Sequence, residues 1–175
     1  AILEANKKKV QQYLREKGIP DSSVLFMFAN VNKMTESMYN NGNYMGERFV
    51  GYSLTQDFKV ESTDVASVEN VSREISSLLA QGVQIESTPP EYFYSKLSDV
   101  KQELIEQATS DARTRIENMA RQSGARLGRL ANGRLGVFQI TEANSNEAWT
   151  AGGAYNSSSK NKKASITVRL EYFTK

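Results

Sequence analysis

Val50-Gly51-Tyr52-Ser53-Leu54-Thr55-Gln56-Asp57-Phe58-Lys59-Val60-Glu61 alternates apolar and polar side chains with one interruption, Gln56. The even positions carry Val50, Tyr52, Leu54, Phe58 and Val60, and the odd ones Gly51, Ser53, Thr55, Asp57, Lys59 and Glu61. Successive strand side chains point to opposite faces, so this pattern predicts a strand with one dry and one wet face. Upstream, Asn40-Asn41-Gly42-Asn43 is the strongest turn signal in the chain. Before it, Val24-Leu25-Phe26-Met27-Phe28-Ala29 opens a second strand, read from Val24 to about Val31 and apolar on both faces, hence buried. The two strands and the turn read as a hairpin with flexible arms.

Working outward, Leu3 to Lys17 reads as a helix with Val10 and Leu14 four apart, stopped at Gly18. Ser62-Thr63-Asp64 starts another, on which Val65, Val68, Val71, Ile75, Leu78 and Leu79 recur at helical steps until Gln81-Gly82. Val83 to Glu86 alternates as a short strand before Pro89-Pro90, and Tyr92-Phe93-Tyr94 continues as an extended aromatic segment. The longest helix runs from about Leu97 to Gln122, with Leu97, Val100, Leu104, Ile105, Ala108, Ala112, Ile116, Met119 and Ala120 on one stripe. Leu135–Ile140 and Ala164–Tyr172 read as strands, separated by a polar Gly/Ser/Asn-rich loop over 144–163 that contains Trp149 and Tyr155. Burying each large aliphatic on these stripes is worth ~1.5–3 kcal/mol, enough to account for both long helices without a ligand. The order α-β-β-α-β-α-β-β predicts an α+β fold: a mainly antiparallel sheet built from strand-helix-strand units, with helices packed on one face. At 175 residues, a single domain over 1–175 is expected.

Composition narrows the chemistry. Cysteine and histidine are both absent, which removes disulfides, zinc-thiolate sites, cysteine nucleophiles and the usual general base near neutral pH. A net charge of +2, with 24% charged residues, argues against a general polyanion binder. No apolar run approaches the ~20 residues of a membrane-spanning helix, so a soluble chain is expected.

Few residues suggest a site. Arg113, Arg115, Arg121, Arg126, Arg129 and Arg134 could hold phosphate, lipid headgroup or nucleic acid; the preferred reading is a solvated helix face with carboxylate neighbours such as Asp111 and Glu117. Tyr92, Phe93 and Tyr94 could stack on bases or sugars, but beside prolines they read as packing or interface residues. Glu47, Asp57 and Glu61 raise the idea of paired carboxylates, yet alternation puts Asp57 and Glu61 on the wet face with Lys59 between them. Gly42 and Gly46, like Gly124 and Gly128, lack the Lys-Ser/Thr of a phosphate loop and read as cap and turn glycines. Sequons at Asn70 and Asn156 are discounted. No catalytic, cofactor-binding or metal residue is nominated, and no cofactor, small-molecule ligand, nucleic acid or membrane span is expected.

Three stretches together resemble the SIMPL domain family, domain of unknown function 541. They are Asn6-Lys7-Lys8-Lys9-Val10 through Leu14 to Gly18-Ile19; Gly51-Tyr52-Ser53-Leu54 leading to Val60; and Ala108 and Ala112 followed by Arg115-Ile116-Glu117-Asn118-Met119-Ala120 and Gly124-Ala125-Arg126-Leu127-Gly128. Ile116 stands where the family usually has alanine and needs more room. The resemblance runs from about Asn6 to Phe173. It implies a bacterial envelope, periplasmic or secreted protein of non-enzymatic character, with a link to stress defence. Family members begin with a strand ahead of the first helix, so the resemblance further implies a trimmed chain lacking that strand and a signal peptide, with an open sheet edge. A homo-oligomer or an envelope protein partner is the expected assembly, and an anion-binding module acting through the Arg-rich stretch 113–134 is the alternative.

Overall fold

The structure, a computed structural model, describes residues 2–146 and 149–175. Along the chain lie α1 (Ile2–Glu16), β1 (Val24–Asn40), β2 (Asn43–Val60), α2 (Val65–Glu74), α3 (Ser77–Ala80), α4 (Leu97–Gln122), β3 (Leu127–Leu135), β4 (Gln139–Glu142), β5 (Lys162–Ser165) and β6 (Val168–Thr174). The fold is α+β with antiparallel pairing, as expected. Among the described residues the ladders are three two-stranded ribbons, β1–β2, β3–β6 and β4–β5. The chain forms two compact units, Ala1–Pro90 and Glu91–Lys175.

In the first unit, α1 ends as the sequence predicts: the Ile19 amide donates back to the Leu14 carbonyl at 2.9 Å, and both residues are fully buried. Asp64 caps α2, accepting from the Ser67 amide at 3.2 Å and its hydroxyl at 2.6 Å. The predicted single helix from Val65 is broken at Ile75-Ser76 into α2 and α3, and Ile75 and Leu78 are both buried across the break. Val10, Tyr13, Leu14, Ile19, Val71, Ile75, Leu78 and Val83 form the core. Val24, Phe26, Phe58 and Val60, at the base of the hairpin, pack against it. The strand expected over Val83–Glu86 does not form: Val83 and Ile85 still point at the core while Gln84 and Glu86 face water, but the segment pairs with no strand. Alternate burial there comes from an extended chain docked on helices, without a ladder.

The hairpin is longer than the sequence suggested. What read as flexible arms, between Val31 and Val50, is paired strand out to a turn in which Asn41 (φ 49°) and Gly42 (φ 82°) both take positive φ. That is the type I′ geometry that Asn-Gly favours, and it matches the twist of the flanking strands.

In the second unit α4 spans Leu97–Gln122 as predicted and lies against β6 and β3. Its stripe is half-buried or buried apart from Met119, which is 69% exposed and so leaves the predicted set. The strand expected over Leu135–Ile140 straddles a break: β3 ends at Leu135, the Gly136 amide donates to the Thr167 carbonyl at 2.7 Å, and β4 begins at Gln139. Ile166-Thr167 likewise splits the predicted last strand into β5 and β6. β3 itself was unforeseen because Leu127-Gly128-Arg129-Leu130-Ala131-Asn132-Gly133 is poor in strand formers. Gly128 is there because a Cβ would meet the Phe173 carbonyl oxygen at 2.6 Å, so it is a strand residue and not a cap or turn.

Replacing Leu14 or Leu78 by alanine opens a cavity in the core and is expected to cost about 2–5 kcal/mol. Leu54→Ala, at an exposed strand position, is expected to stay within roughly 0.5 kcal/mol; urea unfolding of the three variants tests the contrast. Acid sensitivity follows from two carboxylates. The Arg15 guanidinium hydrogen-bonded to Asp21, and the Ser67 hydroxyl and amide bonded to Asp64, hold both groups below the ordinary 3.8. Each ionises more readily folded than unfolded, so its contribution is complete above the ordinary value and fades as pH falls through the lowered folded one. The melting temperature is expected to fall on acidification through that window, and to fall less in an Asp21→Asn/Asp64→Asn double variant. An equal fall in both proteins would contradict the assignment.

Candidate functional site

The Asn41-Gly42 turn fixes the hairpin register, pairing Tyr39 with Tyr44 and, further down, Ser37 with Glu47, Thr35 with Phe49, Lys33 with Tyr52 and Val31 with Leu54. Cross-strand partners share a face, and these pairs alternate with Met38/Gly46, Glu36/Arg48, Met34/Gly51 and Asn32/Ser53 on the other. Followed to the base, the first set leads through Ala29/Gln56 to Phe26/Phe58 and Val24/Val60. The core face and the exposed arm face are therefore one continuous surface.

Three irregularities maintain that continuity. Ladder shifts lie between Phe26 and Ala29, between Met34 and Thr35, and between Met38 and Tyr39. At the first, Met27 and Phe28 oppose Asp57 alone; at the second, β2 carries the extra Val50, and at the third the extra Met45. Each extra residue changes which sequence parity points to the core side, so odd residues of β1 beyond Ala29 share a face with Phe26. The first bulge is held by the Gln56 side-chain amide donating to the Met27 carbonyl at 2.7 Å, and it turns Phe28 out into water, 96% exposed.

Helix cover ends near the base. Lys7 of α1 sits 4.9 Å from the centre of the Phe26 ring, and Phe26 packs on Phe58 at 5.6 Å. Beyond them Val31, Leu54, Tyr52, Phe49, Tyr39 and Tyr44 are all exposed, Tyr52 by 63% and Leu54 by 49%. The predicted dry face of Val50–Val60 is thus dry only at Phe58 and Val60. Val50, at its bulge, and Tyr52 and Leu54 stand in solvent. The aromatics associate with one another: Phe49 meets Tyr52 edge-on at 5.2 Å, Tyr39 meets Tyr44 at 5.9 Å, and the Lys33 ammonium lies 5.7 Å from the Phe49 ring. The opposite face is polar around Asn30, Asn32, Ser53 and Thr55, carries the Arg48–Glu36 ion pair at 2.7 Å, and exposes Met34 and Met38 with Phe28, Val50 and Met45 at the bulges.

The other candidates are held by contacts of their own. Arg113 pairs with Glu117 and Arg115 with Asp111, each at 2.9 Å, and Arg121 donates to Asn118 at 2.8 Å, as the solvated-face reading requires. Arg126 enters the β3–β6 end through its backbone, Arg129 lies 5.0 Å from the Phe173 ring, and Arg134 faces Arg169 across the ladder. Asp57 and Glu61 are exposed, with Lys59 bonded to Glu61. Phe93 stacks on Tyr155 at 6.0 Å, and the Tyr92 amide donates to the Ser157 carbonyl at 2.7 Å, so the aromatic segment is tied to the long loop. Among the described residues, no group of acidic side chains could hold a metal ion, and no helix is long and apolar enough to cross a membrane. A recess of ≈ 80 Å³ lined by Lys9, Gln12, Tyr13, Glu16 and Gln81 is far below the ~300 Å³ of a small-molecule site.

Residues 2–172 match the family described as SIMPL, protein of unknown function (DUF541). The chain belongs to the SIMPL family. No curated protein matches it. In this SIMPL chain the resembling stretches are architectural: Gly18-Ile19 closes α1 onto the core, Gly124 ends α4, and Gly51 to Val60 lies within β2.

Sequence reasoning did not find the arm face because Lys33, Thr35 and Ser37 interrupt its apolar run on β1. The signal that could have found it is the turn, since an Asn-Gly I′ turn forces Tyr39 opposite Tyr44. The loop over 144–163 includes Glu147 and Ala148, which lie outside the described residues. Its remainder is anchored by the buried Gln139, whose amide donates to the Thr150 carbonyl at 2.8 Å and accepts from the Ala154 amide at 2.6 Å. Gln139→Leu strands these backbone groups, at a cost of roughly 1–3 kcal/mol. Faster proteolysis and amide exchange over 150–156 are the expected readouts.

Proposed function

We propose that this SIMPL chain is a non-enzymatic protein of the bacterial cell envelope, periplasmic or secreted, that works by assembling with itself or with a protein partner through the hairpin arm. The observation that carries this reading is the continuity of the core face of β1–β2 into solvent, where no element of the first unit covers it. Exposed contiguous apolar surface of this kind marks interaction sites. The carboxylates considered for acid–base work are exposed, Glu47 and Asp57 on β2 and Glu61 just beyond it, which supports a binding role over catalysis. The envelope location and the link to stress defence rest on family resemblance.

Sedimentation velocity across the micromolar range tests the assembly. A concentration-dependent shift to larger species, weakened by Tyr52→Ser or Phe49→Ser with unchanged circular dichroism, is expected. A monomer throughout, and no partner retained by the arm in envelope extracts, would overturn the proposal.

A second reading, anion binding through the stretch 113–134, has one observation in its favour: Arg134 and Arg169 are directly opposed across β3–β6, and like charges placed so repel unless an anion lies between them. Salt-sensitive retention on anionic vesicles or DNA, lost in Arg134→Gln/Arg169→Gln, would support it; indifference to both would remove it.

A further inference from the structure

The arm face carries a charge pattern that specifies its occupant. Taken from base to tip, its pairs are Val31/Leu54, Lys33/Tyr52, Thr35/Phe49, Ser37/Glu47 and Tyr39/Tyr44. The pattern is centred on Thr35/Phe49, with a cation one pair toward the base, an anion one pair toward the tip, and an apolar pair beyond each. Glu47 has no ion-pair partner among the described residues, and Lys33 has only the ring of Phe49. Such a surface is complementary to itself when reversed end for end.

We infer that two copies of this chain pack their arms face to face and antiparallel about a two-fold axis at Thr35/Phe49, with Lys33 of each copy reaching Glu47 of the other. This deepens the self-assembly reading and rests on it. In the antiparallel arrangement Lys33/Tyr52 of one arm lies over Ser37/Glu47 of its partner, and Val31/Leu54 lies over Tyr39/Tyr44, so both charges are matched and every apolar pair meets another. The interface is isologous and closes on itself. Parallel packing would set Lys33 beside Lys33 and Glu47 beside Glu47, which is the arrangement that charge disfavours.

The area suffices. Tyr39, Tyr44, Phe49 and Tyr52 each leave half to two-thirds of their surface open, and with rings that bury roughly 150–250 Å² when covered they and the two aliphatics present roughly 650 Å². The stems of Lys33, Thr35 and Ser37 bring this near the ~800 Å² per partner of a stable complex. It already exceeds the largest apolar patch on a typical monomer, ~300–600 Å². Face-to-face packing accounts for all of these groups, whereas strand addition at the β1 or β2 edge would use the backbone and leave the apolar face open.

Charge reversal tests the pairing on residues that support no core packing. Lys33→Glu and Glu47→Lys are each expected to weaken dimerisation at least tenfold in sedimentation equilibrium, and the double variant to restore it. Because the chain has no cysteine, a spin label on Thr35→Cys or Asn40→Cys reports orientation. At ~3.4 Å per residue the antiparallel dimer puts the tip labels roughly 35 Å apart and the central ones much closer, while a parallel dimer brings both pairs close. Assembly that persists through both single reversals, or a short tip-to-tip distance, would overturn this arrangement and leave self-assembly standing. A strict monomer would remove both. Arm-dependent association with another envelope protein, with no self-association, would overturn the two-fold pairing alone.

Discussion

The structure of the first unit depends on one constraint, the register that the Asn41-Gly42 turn imposes on β1 and β2. With it, Val24, Phe26, Phe58 and Val60 arrive together on the side where α1, α2 and α3 bring Leu14, Ile19, Val71 and Leu78. A slip of one residue on either strand would turn that strand's two members of this set outward and uncover the core. The same register, read in the other direction, aligns Tyr39, Tyr44, Phe49 and Tyr52 on the arm beyond the helices of the first unit. One hydrogen-bond ladder therefore sets both the stable half of the ribbon and the half that needs something else to cover it.

An isolated two-stranded ribbon is marginal in water, since it has few side-chain contacts to offset the entropy of ordering. The arm compensates in part through edge-on aromatic pairs, a cation over a ring and the Arg48–Glu36 ion pair. These are small terms. Its bulges twist the ribbon and keep the apolar residues in phase, which has no use in a segment that only has to be soluble. Covering the face would order the arm and remove the apolar surface from water at once, so assembly and local stability are linked.

Much of the scaffold was legible in the sequence because it follows from periodicity. The Val10/Leu14 spacing and Gly18 located α1, the stripe from about Leu97 to Gln122 located α4, and Ser62-Thr63-Asp64 located the start of α2. The misses share a cause: a periodic pattern says which side chains are alike, not what covers them. Val83–Glu86 alternates like a strand and docks on helices without pairing. Tyr52 and Leu54 alternate in phase with Phe58 and Val60 and meet water. The bulges, one on β1 and two on β2, break the parity that would have revealed the face, and β3 escaped notice because it is poor in strand formers, with Gly128 set by close backbone approach to Phe173. Gln139, which anchors the long loop, has no signature in the sequence; its role follows from its burial and its hydrogen bonds.

Hydroxyl-radical footprinting as a function of protein concentration tests the central claim most directly, because the two faces of the arm carry their own controls. The account predicts that Phe49, Tyr52 and Leu54 become protected as concentration rises while Met34 and Met38, on the opposite face, stay as reactive as before. Equal reactivity of both faces at every concentration, or protection confined to Met34 and Met38, would contradict it.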